Sequence, residues 1–392
     1  MDVAAQRDDI ARDGRWNVDG QRHVRLLRSG VDAAPSARPG PSAARKPNWM
    51  DTMRELTIGA VKVSPPLALA PMAGVTDALF RRLFKRFGLG LTVSEFVSAN
   101  SLVRLNRRSL EMIEVYDDER PTSVQLHGSD PAVMAEAAAF IEECGADIVD
   151  INFGCPAPKI TKGGDGAAIL RDPDLAVAIC AAVRKAVKRV PVTCKMRLGW
   201  DSTNFTFLEI AKRAEAVGID AFTLHGRYGK QFYKPSAKWE HVARLKECVS
   251  VPVIGNGDVS SASEAMARMR ESGPDAIMVG RATLGNPWLI REIAAAMRGE
   301  AVPAPPSIHE RIDFALEHLN AMIDRYGEKS GLLQMRKHLG WYVKGIHDAS
   351  SMRERINKES DPAAVRELLA EARASQPAER DAHDSEDLAL AM

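Results

Sequence analysis

The chain carries almost no net charge, because 53 Lys and Arg stand against 52 Asp and Glu in 392 residues. That balance excludes a global electrostatic footprint for nucleic acid or a membrane surface, so any such contact must come from local patches. No apolar run approaches the ~20 residues that span a bilayer, and the N-terminus lacks the apolar core of a signal peptide. Cysteine is scarce and odd in number: Cys144, Cys155, Cys180, Cys194 and Cys248, with no C-x-x-C pair. This argues against a disulfide framework or a zinc site, no metal is expected, and reduced thiols in the cytoplasm are the consistent reading. No G-x-G-x-x-G follows the first strand-like run, which counts against a dinucleotide-binding open sheet.

What is present is a repeat of element type. Residues 1–55 are rich in Ala, Arg, Asp, Gly and Pro without apolar periodicity and read as a disordered extension; Met50 or Met53 is a candidate native start. From there, apolar strand-like runs alternate with amphipathic helix-like runs. The strands read are Leu67–Ala70, Leu91–Glu95, Thr122–Leu126, Ile148–Asn152, Val192–Met196, Ala221–Leu224, Val253–Gly255 and Ala276–Val279. Their near-continuous apolarity suits strands covered on both faces of a parallel sheet. Asp130-Pro131 and Asp172-Pro173 are helix starts, and Gly145 and Gly218 are helix ends. Eight such units predict an α/β fold, a (β/α)8 TIM barrel over residues 56–300, followed by a small C-terminal helical domain over 308–374. Its helices are expected at Ile308–Tyr326, Leu332–Lys344 and Pro362–Ala374, after the hinge Ala301–Ser307. Residues 375–392 read as a disordered tail.

Chemistry-bearing residues fall at the strand ends, where parallel α/β folds place active sites. Ile148–Asn152 runs into Gly154-Cys155-Pro156, a cysteine bracketed by a flexible and a stiff residue. Its thiol is a candidate nucleophile or general acid; sequence rules do not choose between these. Cys180, Cys194 and Cys248 read as small buried hydrophobes. Pro71-Met72-Ala73-Gly74 ends strand 1 with small residues that let a flat ligand approach. Gln125 and His127 flank the end of strand 3. Lys195 and Arg197 share one side of strand 5 by alternation. His225-Gly-Arg227 ends strand 6. Gly255, Asn256, Gly257 and Asp258, with Gly280 and Arg281, end strands 7 and 8, where barrels often bind a phosphate. Spacing and chemistry together predict a phosphate-bearing cofactor.

In this order, Pro71–Asp77, Val124–Gly128, Asn152-Phe-Gly-Cys-Pro156, Lys195-Met-Arg197, His225-Gly-Arg227, Gly255–Asp258 and Val279-Gly-Arg281 resemble the successive signatures of tRNA-dihydrouridine synthases. Arg336–Tyr342 resembles their helical domain, most closely that of the bacterial B-type branch. The resemblance covers about residues 56–370. It implies a barrel that binds FMN, takes electrons from NADPH or NADH, and reduces the C5–C6 bond of selected tRNA uridines. By the same resemblance Cys155 is the proton donor to C5. Pro71, Met72, Ala73, Gln125, Lys195 and His225 contact the flavin, and Asn256, Gly257, Asp258, Gly280 and Arg281 surround its phosphate. Asn152, Lys159, Lys162, Arg197, Arg336 and Lys337 lie toward the RNA, with Lys230 and Lys344 as further candidates. No obligate protein partner is implied. Three stretches depart from the family pattern: Tyr228-Gly229, Pro235, and the loop Ala157–Asp165. All fall on expected RNA-facing loops. The alternatives on the same barrel are a small-molecule flavin ene-reductase and a dihydroorotate-type dehydrogenase, and outside enzymes an RNA-binding protein on a decayed barrel.

Overall fold

The computed structural model describes residues 55–375. Apart from Glu55 and Ser375, the expected N-terminal extension and C-terminal tail, with the two candidate start methionines, lie outside these. Eleven strands are described: β1 (Leu56–Ile58), β2 (Val61–Val63), β3 (Leu67–Leu69), β4 (Thr92–Val93), β5 (Val97–Ser98), β6 (Thr122–His127), β7 (Ile148–Phe153), β8 (Val192–Arg197), β9 (Ala221–His225), β10 (Val253–Asn256) and β11 (Ala276–Val279). From β3 onward all pair in parallel, in the spatial order β3-β11-β10-β9-β8-β7-β6-β4, with β5 also on β6. The pairing of Ala68 with Leu91, and the bond from Leu69 N–H to Leu91 C=O at 3.0 Å, bring the two ends of this sheet together. The result is a (β/α)8 barrel with the predicted strand set.

Alternation along each strand sorts the two faces. Val124, Leu126, Val149, Ile151, Cys194, Met196 and Leu224 face outward into one apolar cluster with helix residues such as Met134, Ile141, Ile179 and Ile210. The inward residues split by height. At the N-terminal end, Ala68, Val93, Ile148, Ala221, Ile254 and Ala276 form a second cluster. The antiparallel hairpin β1–β2 adds Leu56, Ile58 and Val63 to it and plugs that end. Burying each such branched side chain contributes roughly 1.5–3 kcal/mol. The C-terminal end of the barrel is therefore the open one.

Helix starts follow the capping chemistry. Asp130 accepts from the N–H groups of Ala132 and Val133, and Asp172 from that of Leu175. Gly145 and Gly218 sit just past helix ends at φ of 88° and 103°. One strand is cut short. The predicted Leu91–Glu95 is shorter in the fold, Thr92–Val93 (β4), and a second short strand, β5, follows beyond its bounds, because Glu95 turns aside to accept from Gly74 N–H.

After the barrel come helices Ile308–Tyr326, Glu328–Tyr342, Ala349–Lys358 and Pro362–Ala374. The third is not anticipated by periodicity, since it buries only Met352 and Ile356. These helices pack on the barrel helix Ala78–Lys85. Phe80 and Phe84 of that helix stack at 3.7 Å between centroids, Phe84 meets Phe314, and Phe80 meets His318 and His338. Arg86–Glu317 and Arg325–Glu114 ion pairs rim this contact.

Candidate active site

The inward residues at the open end are polar, and register brings them into one ring. Gln125 pairs across to Asp150, Asn152 to Lys195, Arg197 to His225, and His225 to Asn256. Residues in register on neighbouring parallel strands point to the same side, so these side chains converge at the mouth.

A chain of hydrogen bonds runs from the barrel interior to the cysteine loop. Thr193 Oγ1 donates to Asp150 Oδ1, and Gln125 Nε2 donates to Asp150 Oδ2 at 2.6 Å. Asn152 Nδ2 donates to Gln125 Oε1 at 2.6 Å. Asn152 Oδ1 in turn accepts from the N–H groups of Gly154 at 3.0 Å and Cys155 at 2.9 Å. Gln125 thus lies fully buried within this chain rather than at the solvent edge. Burial pushes the Asp150 carboxyl above the usual carboxylate range.

The Cys155 loop is pinned a second time. Cys155 C=O accepts from Ala167 N–H at 3.0 Å. His127 Nδ1 and Asp165 Oδ2 lie 2.9 Å apart, with Phe96 edge-on to the imidazole. Gly166 sits between at φ 61°, and a Cβ there would lie 2.7 Å from the Cys155 carbonyl oxygen. The half-buried thiol is pushed up from its ordinary value by burial, against smaller opposing effects of the Ala157 N–H and nearby Arg197, Lys159 and Lys195. It is a thiol, not a thiolate, at neutral pH.

Lys195 faces the same space. Its Nζ has one partner, Asn256 Oδ1 at 3.2 Å, and its pKa is lowered to about 8, by burial first and then by Arg197. An ammonium offers three donors, so the mouth holds a buried cation with donors to spare. Arg197 is strapped by Nε to Gly154 C=O and by Nη1 to Tyr228 C=O. His225 Nε2 accepts from Arg227 Nη1 at 3.0 Å. Burial, then Arg197, Lys195, Arg227 and Arg281, hold this imidazole well below its ordinary value, so it is neutral.

At the ends of β10 and β11, Asp258 is the hub. It takes Arg227 Nη2, Ala237 N–H at 2.7 Å and Arg281 Nη2 at 3.3 Å. Arg281 stays largely exposed, 4.2 Å above the Tyr233 ring. Gly257 and Gly280 line the same edge. Gly255 has another reason to be glycine, since a Cβ there would lie 2.3 Å from the Trp239 ring. Asn256 Nδ2 is used on Met278 C=O.

Next to this edge at the end of β3, and across the mouth from the cysteine loop, the wall is the accessible turn Pro71-Met72-Ala73-Gly74. Lys337 reaches across from helix Glu328–Tyr342 to donate to Gly74 C=O, beside Glu95. Lys337 thus joins the mouth. Arg336 does not: its Nη2 donates to Glu359 C=O at 2.6 Å and ties the C-terminal helices to each other. Lys159 and Lys162 are exposed on the cysteine loop, and Lys344 is exposed on the helical layer. Lys230 is exposed but pairs with Asp201. Asp150 is a site residue that the motif reading passed over, and Arg227 is one that it quoted within a motif but gave no role. Alternation could have found both, since each lies two positions from a chosen residue, Asn152 and His225.

The ring fits a flat phosphorylated heterocycle. Arg281 and the glycine edge suit the anion, the Pro71–Ala73 wall suits a planar body, and Lys195 has unused donors for electronegative atoms. Among the described residues no helix is long and apolar enough to cross a membrane.

Fold and mouth together define a barrel enzyme that works at the C-terminal ends of its strands. A family model described as dihydrouridine synthase matches residues 68–378. A probable tRNA-dihydrouridine synthase of Rickettsia bellii is 44% identical over 318 residues, covering 81% of this chain and 97% of that protein. The tRNA-dihydrouridine synthase B of Pseudomonas aeruginosa is 43% identical over 325 residues, covering 81% and 97%. The chain belongs to the dihydrouridine synthase family, and so to the oxidoreductases. A solved 2-naphthoyl-CoA reductase complex shares the fold with a TM-score of 0.52 at 13% identity, over 64% of this chain and 53% of that one.

Proposed function

We propose that the protein reduces the C5–C6 double bond of selected tRNA uridines to 5,6-dihydrouridine, with FMN as bound cofactor and NADPH or NADH as reductant. The observation that carries this reading is the state of Cys155. Its loop is fixed by Asn152 at the open mouth, and burial pushes the thiol further up, away from the thiolate. A proton donor needs that state; a cysteine nucleophile needs the opposite.

Bound FMN would supply the hydride that goes to uracil C6. Cys155 Sγ gives its proton to C5, so the base gains one hydride and one proton and its double bond becomes single. The thiolate left behind is eased by Arg197, Lys159 and Lys195, and it regains its proton from solvent. Asn152 and Gln125 hold the loop in register with the ring. Lys195, His225 and the wall of Pro71, Met72 and Ala73 hold the cofactor's planar body. Asn256, Gly257, Asp258, Gly280 and Arg281 shape its phosphate end, with Asp258 orienting Arg281.

The uracil must leave its stack to reach the mouth, which costs a few kcal/mol. Phosphate contacts elsewhere offset that cost. Lys159 and Lys162 serve this on the cysteine side and Lys337 on the opposite wall, with Arg336 fixing the helix that carries Lys337, while Arg197, buried at the mouth, faces the substrate base. A cation from an added helical layer at the rim favours a substrate larger than an enone or a dihydroorotate. The layer over residues 308–374 is thus the tRNA-binding part, and 56–300 the cofactor-binding barrel.

The test is dihydrouridine mapping in tRNA from a strain lacking this protein, complemented with wild type or Cys155→Ala. The wild type should restore the modification. Cys155→Ala should keep its flavin and accept electrons from NADPH at the normal rate, yet lose about 100-fold or more in dihydrouridine formation. Normal modification by Cys155→Ala would overturn the assignment of the acid. Unmodified tRNA with wild type present, together with turnover of a small enone, would favour the ene-reductase.

A further inference from the structure

Phe232 and Tyr233 are two of only four large hydrophobic side chains exposed among the described residues, at 45% and 49%. They lie on the loop after β9, at the rim of the mouth. Tyr233 has a visible reason to be there, since Arg281 and Arg197 stack over its ring at 4.2 and 5.9 Å. Phe232 has none. Its backbone sits at φ 50°, ψ −97°, where any side chain bearing a Cβ is strained and glycine is not. Phenylalanine therefore costs the fold twice here, once in the backbone and once in exposed apolar surface. Outliers of this kind at a site mouth point to a use for the side chain.

The loop is held rigidly around it. Gly229 N–H donates to Gly199 C=O at 2.9 Å and Lys230 N–H to Trp200 C=O at 3.0 Å. Tyr228 N–H donates to the Gln231 side chain at 2.8 Å, and Arg227 Nε to Pro235 C=O at 2.7 Å. Lys230 and Lys234 flank the two rings in sequence and are both exposed, Lys230 with Asp201 as its partner. A fixed, open aromatic face bordered by cations is the arrangement on which bases of single-stranded nucleic acid stack.

We propose that Phe232 is a stacking platform for the RNA base next to the uridine that enters the mouth; this rests on the tRNA reading above. Withdrawing one uridine from a stack strips its neighbour of a partner, and an open ring at the rim replaces it. The adenine of a dinucleotide reductant, in contrast, is usually held in a cleft rather than on an open face.

The test uses the flavin-loaded full chain and unmodified tRNA, with steady-state kinetics for tRNA and NADPH and the rate of flavin reduction without tRNA. Phe232→Ala should raise KM for tRNA about 5- to 150-fold, the range for loss of one stacked base. Flavin reduction by NADPH should be unchanged. Phe232→Trp should restore the wild-type KM and Phe232→Leu should not. Phe232→Gly should lose tRNA affinity like the alanine variant while melting at a higher temperature, since the backbone strain is relieved. A KM for tRNA within twofold of wild type in Phe232→Ala overturns the proposal. So does a defect that appears in KM for NADPH, which makes the ring an adenine platform, or a Phe232→Gly protein that melts lower. If wild type forms no dihydrouridine at all, the tRNA reading itself fails, and the two failures are thereby distinct.

Discussion

Lys195 is a costly residue for the fold and a useful one for the site. It is 8% exposed, bonded only to Asn256, and its pKa is lowered to about 8 from an ordinary 10.5. Below about pH 8 the fold carries a buried cation. Between about pH 8 and 10.5 the folded lysine is neutral while the unfolded one still binds a proton, so this group makes stability rise with pH. Lys195→Met should therefore melt higher than wild type at pH 7 in the cofactor-free form. The advantage should shrink by up to about 3 kcal/mol as pH rises through that window, at 1.36 kcal/mol per unit. Added FMN should stabilise wild type more than the variant, and thermal melts of both forms from pH 7 to 10 check both statements. Lys195 and Arg197 were legible as a pair because two cations on one side of an apolar strand have few structural uses. That Gln125 would be buried by Asp150 and Asn152 was not, because the length of a hydrogen-bond chain across strands depends on their register.

At the scale of elements, the segment between β3 and β6 is held by one buried ion pair. Arg81, at 1% exposure, meets Glu119, at 0%, through Nε–Oε2 at 2.6 Å and Nη2–Oε1 at 2.9 Å. The same guanidinium donates to Thr76 C=O at 3.1 Å and Glu114 C=O at 2.8 Å. It thus links helix Ala78–Lys85 to the Pro71–Gly74 wall and to the strand that follows Glu119. Removing one partner strands a buried charge, whereas removing both leaves an apolar contact. Arg81→Met should cost about 3–5 kcal/mol in urea unfolding, and Arg81→Met with Glu119→Leu should recover most of it. Equal losses in the single and double variants would show that the carbonyl contacts, not the carboxylate, carry the effect. Nothing in the local sequence announces this pair, since its members lie 38 residues apart. The helix caps, in contrast, were readable because Asp-Pro acts within its own turn.

At the scale of the molecule, the C-terminal helices share a core with the barrel, and that core contains two imidazoles. His318 is fully buried, its Nδ1 3.1 Å from Tyr342 Oη and its Nε2 without a partner. Burial, aided slightly by Lys337, drives its pKa down to about 3. His338, 4.9 Å away between ring centroids, is also held well below its ordinary value. Both are neutral when folded, so acid protonates the unfolded chain first and stability falls as pH drops below about 6.5. From pH 6.5 to pH 5 each should cost about 2 kcal/mol, at 1.36 kcal/mol per unit. His225 at the mouth is held neutral in the same way, so His318→Phe should flatten the slope by about a third. Calorimetric melts between pH 7 and 5 measure it, and an unchanged slope would place the acid sensitivity elsewhere.

The eight-unit repeat, the helix caps and the strand-end motifs were determined by the sequence alone. Each depends on periodicity or on residues within one turn of each other. The barrel register and the hairpin plug were decided only in three dimensions, as were the shortened second strand, the Asp258 hub and the reach of Lys337 to Gly74. These arise from pairings across tens to hundreds of residues, where the energy of a contact depends on which partner arrives and not on the neighbours along the chain. The cysteine loop shows both. Its Gly-Cys-Pro bracket marked Cys155 as chemical, but the further upward push on its thiol follows from burial in the folded mouth, where Asn152 and Ala167 hold its backbone.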